Sequence, residues 1–277
     1  MKFVDQALAR RFEAAEEVPQ VLYAESYKKL CPEIGAEWQE IAGGHMSFAG
    51  IGSPVGRAVG LGLGREITEP DLDQIEAFYR SHGAPAQVDV CPYTDLKFLE
   101  LMKARGYSFS EFNNVLVREL SPEPESGSGG SEGLPSGVTI RAGEPGEEPL
   151  LSGILLNCFF PDGGAPEGMD RMLAPMFQSR NSIVVAGSVN GKVVAAGTGL
   201  MIPERRIVTM SGAGTLPEFR GQGLQTALLQ YRMRAARAAG CEFAVIVTHA
   251  GSSSQRNAER LGFSVAYTKA TLVRSMQ

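Results

Sequence analysis

What this sequence lacks narrows its class before any motif is read. Nowhere do about eighteen apolar residues run together, the length a membrane-crossing helix needs. The opening Met1-Lys2-Phe3-Val4-Asp5-Gln6 has no apolar stretch of the kind a secretory leader carries. A cytoplasmic location without membrane attachment is expected. Cysteine is sparse, and Cys31, Cys91, Cys158 and Cys241 form no C-x-x-C pair. They read as buried thiols in a reducing compartment rather than as a disulfide framework or a zinc site, and no metal is expected. A basic excess is missing too: 26 lysines and arginines stand against 31 acidic residues, a formal charge of −5. That sign argues against broad binding of nucleic acid or anionic membrane. Small ligands are the expected partners.

What is present suffices for two cores, with 277 residues of which 43% are hydrophobic. Residues 121–136, SPEPESGSGGSEGLPS, break all periodicity and read as a flexible linker between domains at 1–120 and 137–277. Before the linker, periodicity predicts helices over 3–16 and 18–30, strands within 38–48 and 57–63, and a helix over 72–80 capped at Thr68-Glu69-Pro70-Asp71. A strand at 86–91, a helix at 96–104 and a strand at 111–120 complete that half. After it come a strand at 138–141, helices near 147–160 and 166–177, and a hairpin of 182–187 with 192–201. Asn190-Gly191 between those strands suits a type I′ turn. The two halves also repeat. Aligned on Gly106-Tyr107 and Gly262-Phe263, Leu116-Val117-Arg118 falls at the offset of Leu272-Val273-Arg274.

The most informative stretch is 207–240, IVTMSGAGTLPEFRGQGLQTALLQYRMRAARAAG. It reads as a strand closed by Gly212, Gly214 and Pro217, then a glycine-rich turn, then a helix from Leu224 with Gly240 as its C-terminal stop. Between strand and helix, Arg220-Gly221-Gln222-Gly223 frees the backbone to turn its N–H groups outward at the positive end of a helix dipole. Such a loop suits an anion, and Arg220 adds charge-assisted hydrogen bonds to phosphate oxygens. A Walker loop is excluded because no Gly-Lys-Ser/Thr follows. A dinucleotide fingerprint fails because Thr226 stands where its third glycine belongs. An ordinary turn remains the plain alternative, since a lone Gly-x-Gly is common. Where the second half has this loop, the first offers the acidic 65–71, Arg-Glu-Ile-Thr-Glu-Pro-Asp, whose carboxylates would repel a pyrophosphate.

Pro217 to Leu229, with Arg220-x-x-Gly223 at its centre, resembles the acetyl-coenzyme A signature of the GNAT superfamily of N-acetyltransferases. Ser254-Gln255-Arg256-Asn257-Ala258-Glu259-Arg260-Leu261-Gly262-Phe263 is similar to that family's closing helix and turn. The resemblance covers about the last half of the chain. It implies an α/β fold of mixed-sheet type, with two tandem GNAT-like domains, each a mostly antiparallel mixed sheet flanked by helices, the first a degenerate copy. The implied activity is acetyl-CoA-dependent transfer of an acetyl group to a primary amine of a small molecule or an exposed peptide amine. A non-catalytic acyl-CoA sensor or scaffold is the alternative, and monomer and homodimer both stay open.

The implied cofactor-binding residues are Ala213, Gly214, Thr215, Arg220, Gly221, Gln222, Gly223, Leu224, Gln225, Thr226 and Asn257. Many family members carry a tyrosine before the Leu-Gly-Phe turn as acid for the departing thiolate, and here Ala258 holds that place. Ser254 or a water is the candidate substitute, and a helix cap is Ser254's structural reading. His249 is the candidate base at the end of the 243–247 strand, where a lone histidine also serves structure alone. Cys158 and Cys241 read as core, and Glu218 as facing solvent.

Overall fold

The computed structural model describes residues 4–53, 55–120, 134–165 and 169–275. Most of the expected linker falls outside them. In chain order the elements are α1 (Gln6–Leu30), β1 (Glu37–Ile41), β2 (Gly44–Phe48), β3 (Ala58–Val59), α2 (Glu69–Ser81), β4 (Ala86–Val90), α3 (Leu96–Ala104) and β5 (Ser108–Glu119). Next come β6 (Val138–Ala142), α4 (Glu148–Phe159), α5 (Met169–Leu173), α6 (Pro175–Gln178), β7 (Ser182–Val189), β8 (Lys192–Ile202), β9 (Ile207–Thr215), α7 (Leu224–Ala238), β10 (Phe243–His249), α8 (Ser253–Arg260) and β11 (Ser264–Arg274). No helix among the described residues is long and apolar enough to cross a membrane.

Two expected helices prove to be one. α1 runs 25 residues straight through Pro19, with Asp5 accepting from the Leu8 N–H at 2.8 Å to start it. Proline inside a helix forfeits a hydrogen bond. Burial of Ala9, Phe12, Ala15, Ala24 and Tyr27 along the helix, which packs on β1, β2 and β3, outweighs that loss. The helix expected over 166–177 is instead two short ones among the described residues, because Pro175 opens α6 without an N–H to give.

The chain divides into two compact units, and the division is not at the linker alone. One comprises Met1–Leu116, Val247–Ser252 and Val265–Gln277, the other Val117–Ile246 and Ser253–Ser264. The expectation of an uninterrupted second domain over 137–277 is thus corrected at its end. β11 joins the first unit, pairing antiparallel with β4 through Leu272↔Val88. Periodicity missed this because repeated strands share one pattern, which says nothing about whose sheet a strand enters. In the first unit the strand order is β1-β2-β3-β4-β11-β5. Its apolar core includes Met46, Leu72, Ile75, Tyr79, Val88, Phe98 and Met102. In the second unit the order is β10-β9-β8-β7-β6, all antiparallel except the parallel β9/β10 pair. The β7/β8 turn has left-handed φ at Asn190 (51°) and Gly191 (80°), as a type I′ turn requires.

The first unit also buries charge. Lys269 of β11 is 1% exposed, with its ammonium 2.5 Å from Glu16, 3.3 Å from Asp89 and 3.7 Å from Glu13. Glu13 accepts the Tyr267 hydroxyl at 2.6 Å, and its other oxygen has no hydrogen-bond partner. Burial pushes the Glu13 carboxyl up to about 7, against the pull of Lys269. A carboxyl raised in this way favours the folded state most when protonated, so its contribution is full below about pH 4.5 and is lost as pH rises through 7. In Glu13→Gln that pH dependence is expected to vanish. Thermal melts from pH 4.5 to 8 check this: wild type loses melting temperature relative to the variant as pH rises, and parallel curves would count against it.

Candidate functional site

The site starts from a ladder that stops. β10 pairs with β9 at Phe243↔Ile207, Ala244↔Val208 and Val245↔Thr209, and the pairing ends there. On its other edge β9 stays paired with β8 as far as Ala195↔Thr215. The register shifts between Gly197 and Thr198, leaving Gly212 as an extra residue with φ +48°. A Cβ at Gly212 would lie 2.2 Å from Met176 Cε, so the bulge requires glycine on both counts. Past it, Ala213, Gly214 and Thr215 line a cleft of about 690 Å³ within the second unit.

The opposite walls are polar and cationic. A turn at Pro217–Phe219 leads into Arg220, Gly221 and Gly223, with φ +79° at both glycines. Gly223 is the N-cap of α7 and supplies no side chain, and no acidic residue stands in the first turn. The first intrahelical bond runs from Ala227 N–H to Gly223 O at 3.0 Å, so the N–H groups of Leu224, Gln225 and Thr226 precede the ladder. Ser253, Arg256, Asn257 and Arg260 of α8 complete the lining, at the i, i+3, i+4, i+7 spacing of one helix face. A phosphate-bearing ligand suits these donors: an empty glycine cradle at Gly221, where a Cβ would meet nothing within 4 Å, a helix N-terminus and three arginines. Thr215 Oγ1, buried without a hydrogen-bond partner, is a further polar group in the same wall.

Ten of the eleven expected cofactor residues line this cleft, and Gln222 does not. Neither candidate for proton transfer does. Ser254 is exposed and one residue round the helix from Ser253, which rotates it about 100° off the lining face. His249 belongs to the first unit, 68% exposed, with Nδ1 3.7 Å from Glu111 Oε2. Cys158, expected in the core, lines the cleft with Phe159. Burial pushes its thiol up, with Arg220 pulling the other way. Helical periodicity placed Cys158 on α4 but gave no sign that this face meets Gly214. The i, i+4 spacing of Arg256 and Arg260 is the sequence signal that puts both arginines on one face of α8. Ala258, fully buried, brings no acid.

The first unit has already filled its own equivalent of the anion site. Asp71, in the first turn of α2, accepts from Arg65 Nη1 and Nη2 at 2.8 and 2.7 Å and from the Thr68 N–H and hydroxyl, both at 2.8 Å. These bonds hold its carboxyl far below the usual range. The helix N-terminus has its negative charge built in.

The second unit thus joins a mixed sheet with one opened parallel pair to a glycine-arginine loop at a helix N-terminus. Residues 154–263 match the model of the acetyltransferase (GNAT) family. The same fold is found along nearly the whole chain in two solved structures. A GCN5-related N-acetyltransferase from Kribbella flavida has 16% identity and a TM-score of 0.63, over 93% of this chain and 96% of that one. A tandem GNAT protein from the clavulanic acid biosynthesis pathway has 13% identity and a TM-score of 0.62, over 97% and 93%. At those identities the likeness is one of fold, and the fold is the tandem GNAT arrangement. A search of curated proteins returned no match.

Gly214 packs closely against Cys158 in the cleft wall. A Cβ there would lie 2.6 Å from Cys158 Cβ and 2.7 Å from its Sγ. Gly214→Ala is expected to destabilise the protein by about 1–3 kcal/mol through overpacking. Cys158→Gly in the same chain should return part of that loss. A double-mutant cycle of denaturant midpoints measures the coupling, and strict additivity would show that the two residues do not press on each other.

Proposed function

We propose that the protein is an N-acetyltransferase that binds acetyl-coenzyme A in the second unit's cleft and acylates a primary amine of a small molecule or an exposed peptide amine. The observation that carries this reading is the junction of the two walls: an anion-binding loop runs directly into the strand whose outer edge is unpaired. When bound, the cofactor supplies an activated acetyl thioester. The N–H groups at the start of α7, with Arg220, hold its pyrophosphate. Arg220 is steered to that end of the cleft by its Nε, which donates to Thr215 O at 3.2 Å. On the edge of β9 away from β8, beyond the end of the β10 pairing, backbone groups of Ala213 and Gly214 serve the amides of the pantetheine arm, and an N–H there polarises the acyl carbonyl as negative charge develops. Asn257 adds a side-chain amide from α8.

The buried methyl of Ala258 favours a second reading, an acyl-CoA sensor or scaffold without turnover. Release of free thiol with a broad panel of amines separates the two. A chain that binds acetyl-CoA and releases none is the sensor.

Removing the guanidinium by Arg220→Ala is expected to weaken coenzyme A binding by about 1.5–3 kcal/mol, the range for hydrogen bonds to charged groups. Arg65→Ala, which strips the partner from Asp71 in the first unit, should leave that affinity unchanged. Isothermal calorimetry on both variants decides the matter. A loss with Arg65→Ala and none with Arg220→Ala would move the cofactor to the other unit.

A further inference from the structure

Arg232 lies on α7, two turns beyond the glycine loop, and is 3% exposed. No carboxylate among the described residues pairs with it, and burial alone draws its pKa down to about 10. Placing a guanidinium in such surroundings costs several kcal/mol unless its donors are used. They are used on backbone carbonyls of three elements. Nε donates to Leu228 O at 3.2 Å on α7 itself, and Nη1 donates to Thr198 O at 2.6 Å on β8 and to Ser211 O at 3.4 Å on β9. Thr198 and Ser211 are the cross-strand pair directly next to the register shift that leaves Gly212 over. The hydroxyl of Thr198, itself 1% exposed, donates to the same Ser211 O at 2.9 Å. Room for the guanidinium comes from Gly197, where a Cβ would lie 3.3 Å from Arg232 Nε.

The consequence falls on the strand residues beyond the bulge. An extra residue reverses the alternation of the strand, so its placement decides which N–H groups of Ala213 and Gly214 face the cleft. A bulge held by ladder bonds alone can migrate along the strand. One fixed from beneath by a planar cation cannot do so without stranding a buried charge. The same cation is rooted in α7, whose first turn carries the anion site. It therefore sets the bulged strand relative to the phosphate-binding helix.

We propose that Arg232, with Thr198, is a positioning residue: the pair pins the β8/β9 bulge and thereby aims the Ala213–Gly214 backbone at the acyl carbonyl. This rests on the coenzyme reading of the cleft. A leucine or methionine would fill the same volume, and it would leave Thr198 O without its buried donor.

The test uses the full chain and needs no acceptor. Calorimetry gives the affinities of acetyl-coenzyme A and of coenzyme A, and infrared difference spectra of acetyl-coenzyme A labelled with 13C at the carbonyl report its polarisation when bound. Wild type, Thr198→Val, Arg232→Lys and Arg232→Met are compared, with melting temperatures as a folding control. In the variants the preference for acetyl-coenzyme A over coenzyme A should fall about 2- to 10-fold, the worth of one hydrogen bond. The bound carbonyl band should move back toward its frequency in water, and Arg232→Lys should be less affected than Arg232→Met. If Arg232→Met does not fold, Thr198→Val and Arg232→Lys give the answer. Folded variants that keep the wild-type preference and carbonyl band, or that lose both ligands in equal measure, would overturn the proposal. A wild-type chain that binds neither ligand would refute the coenzyme reading itself, and this inference with it.

Discussion

β9 is bonded to β8 along its whole length and to β10 only as far as Thr209, and the second unit's chemistry depends on that inequality. Backbone N–H and C=O groups seek partners, and a strand edge left open inside a fold is normally paired or covered. Here the open edge borders a cleft whose far wall is a helix N-terminus. A ligand suited to both walls must carry an anion at one end and amide-like groups along its length. Glycine recurs at each critical point: Gly212 for the bulge, Gly214 for the contact with Cys158, Gly221 and Gly223 for left-handed turns. A Cβ is excluded by a neighbour at the first two positions and strained by backbone at the last two.

The two units show one structural device put to different uses. Each has a helix whose N-terminus is set up for negative charge. In the first unit Asp71 supplies it covalently and Arg65 completes the pairing. In the second the cap is glycine, the first turn is free of acid, and Arg220 spends one donor on Thr215 O and keeps the rest. Substitution of a carboxylate within one turn is enough to convert a ligand site into a structural ion pair, because the dipole makes no distinction between a bound anion and a tethered one.

The cleft's loop was legible in the sequence because its determinants are local. Glycine spacing, the arginine between strand and helix, and the onset of periodicity at Leu224 all lie within one stretch. Most element bounds were legible for the same reason, α3 among them. What escaped depends on contacts distant in sequence. The helices expected over 3–16 and 18–30 are one because the packing of α1 on the strands, which periodicity does not show, carries the helix through Pro19. Cys158 looked like core because its meeting with Gly214 joins two elements more than fifty residues apart. Ser254 was one residue off a helical face whose orientation only the fold determines. Arg232 is one of several arginines spaced along α7, and nothing local in the sequence marks it as the one that is fully buried.

The entry of β11 into the first unit can be traced to particular side chains. Tyr267, Lys269 and Thr271 alternate along one face of β11, which meets Glu13, Glu16 and Asp89. In the repeat register the corresponding residues of β5 are Glu111, Asn113 and Val115. Were β5 to take the place beside β4, three carboxylates would face a fourth and no lysine. Unpaired buried charge costs several kcal/mol, far more than an apolar mismatch between two otherwise similar strands. A slip of β11 by one residue would likewise turn Lys269 to the opposite face. The apolar pattern that the repeats share allows either strand in that slot, and the buried lysine permits only one.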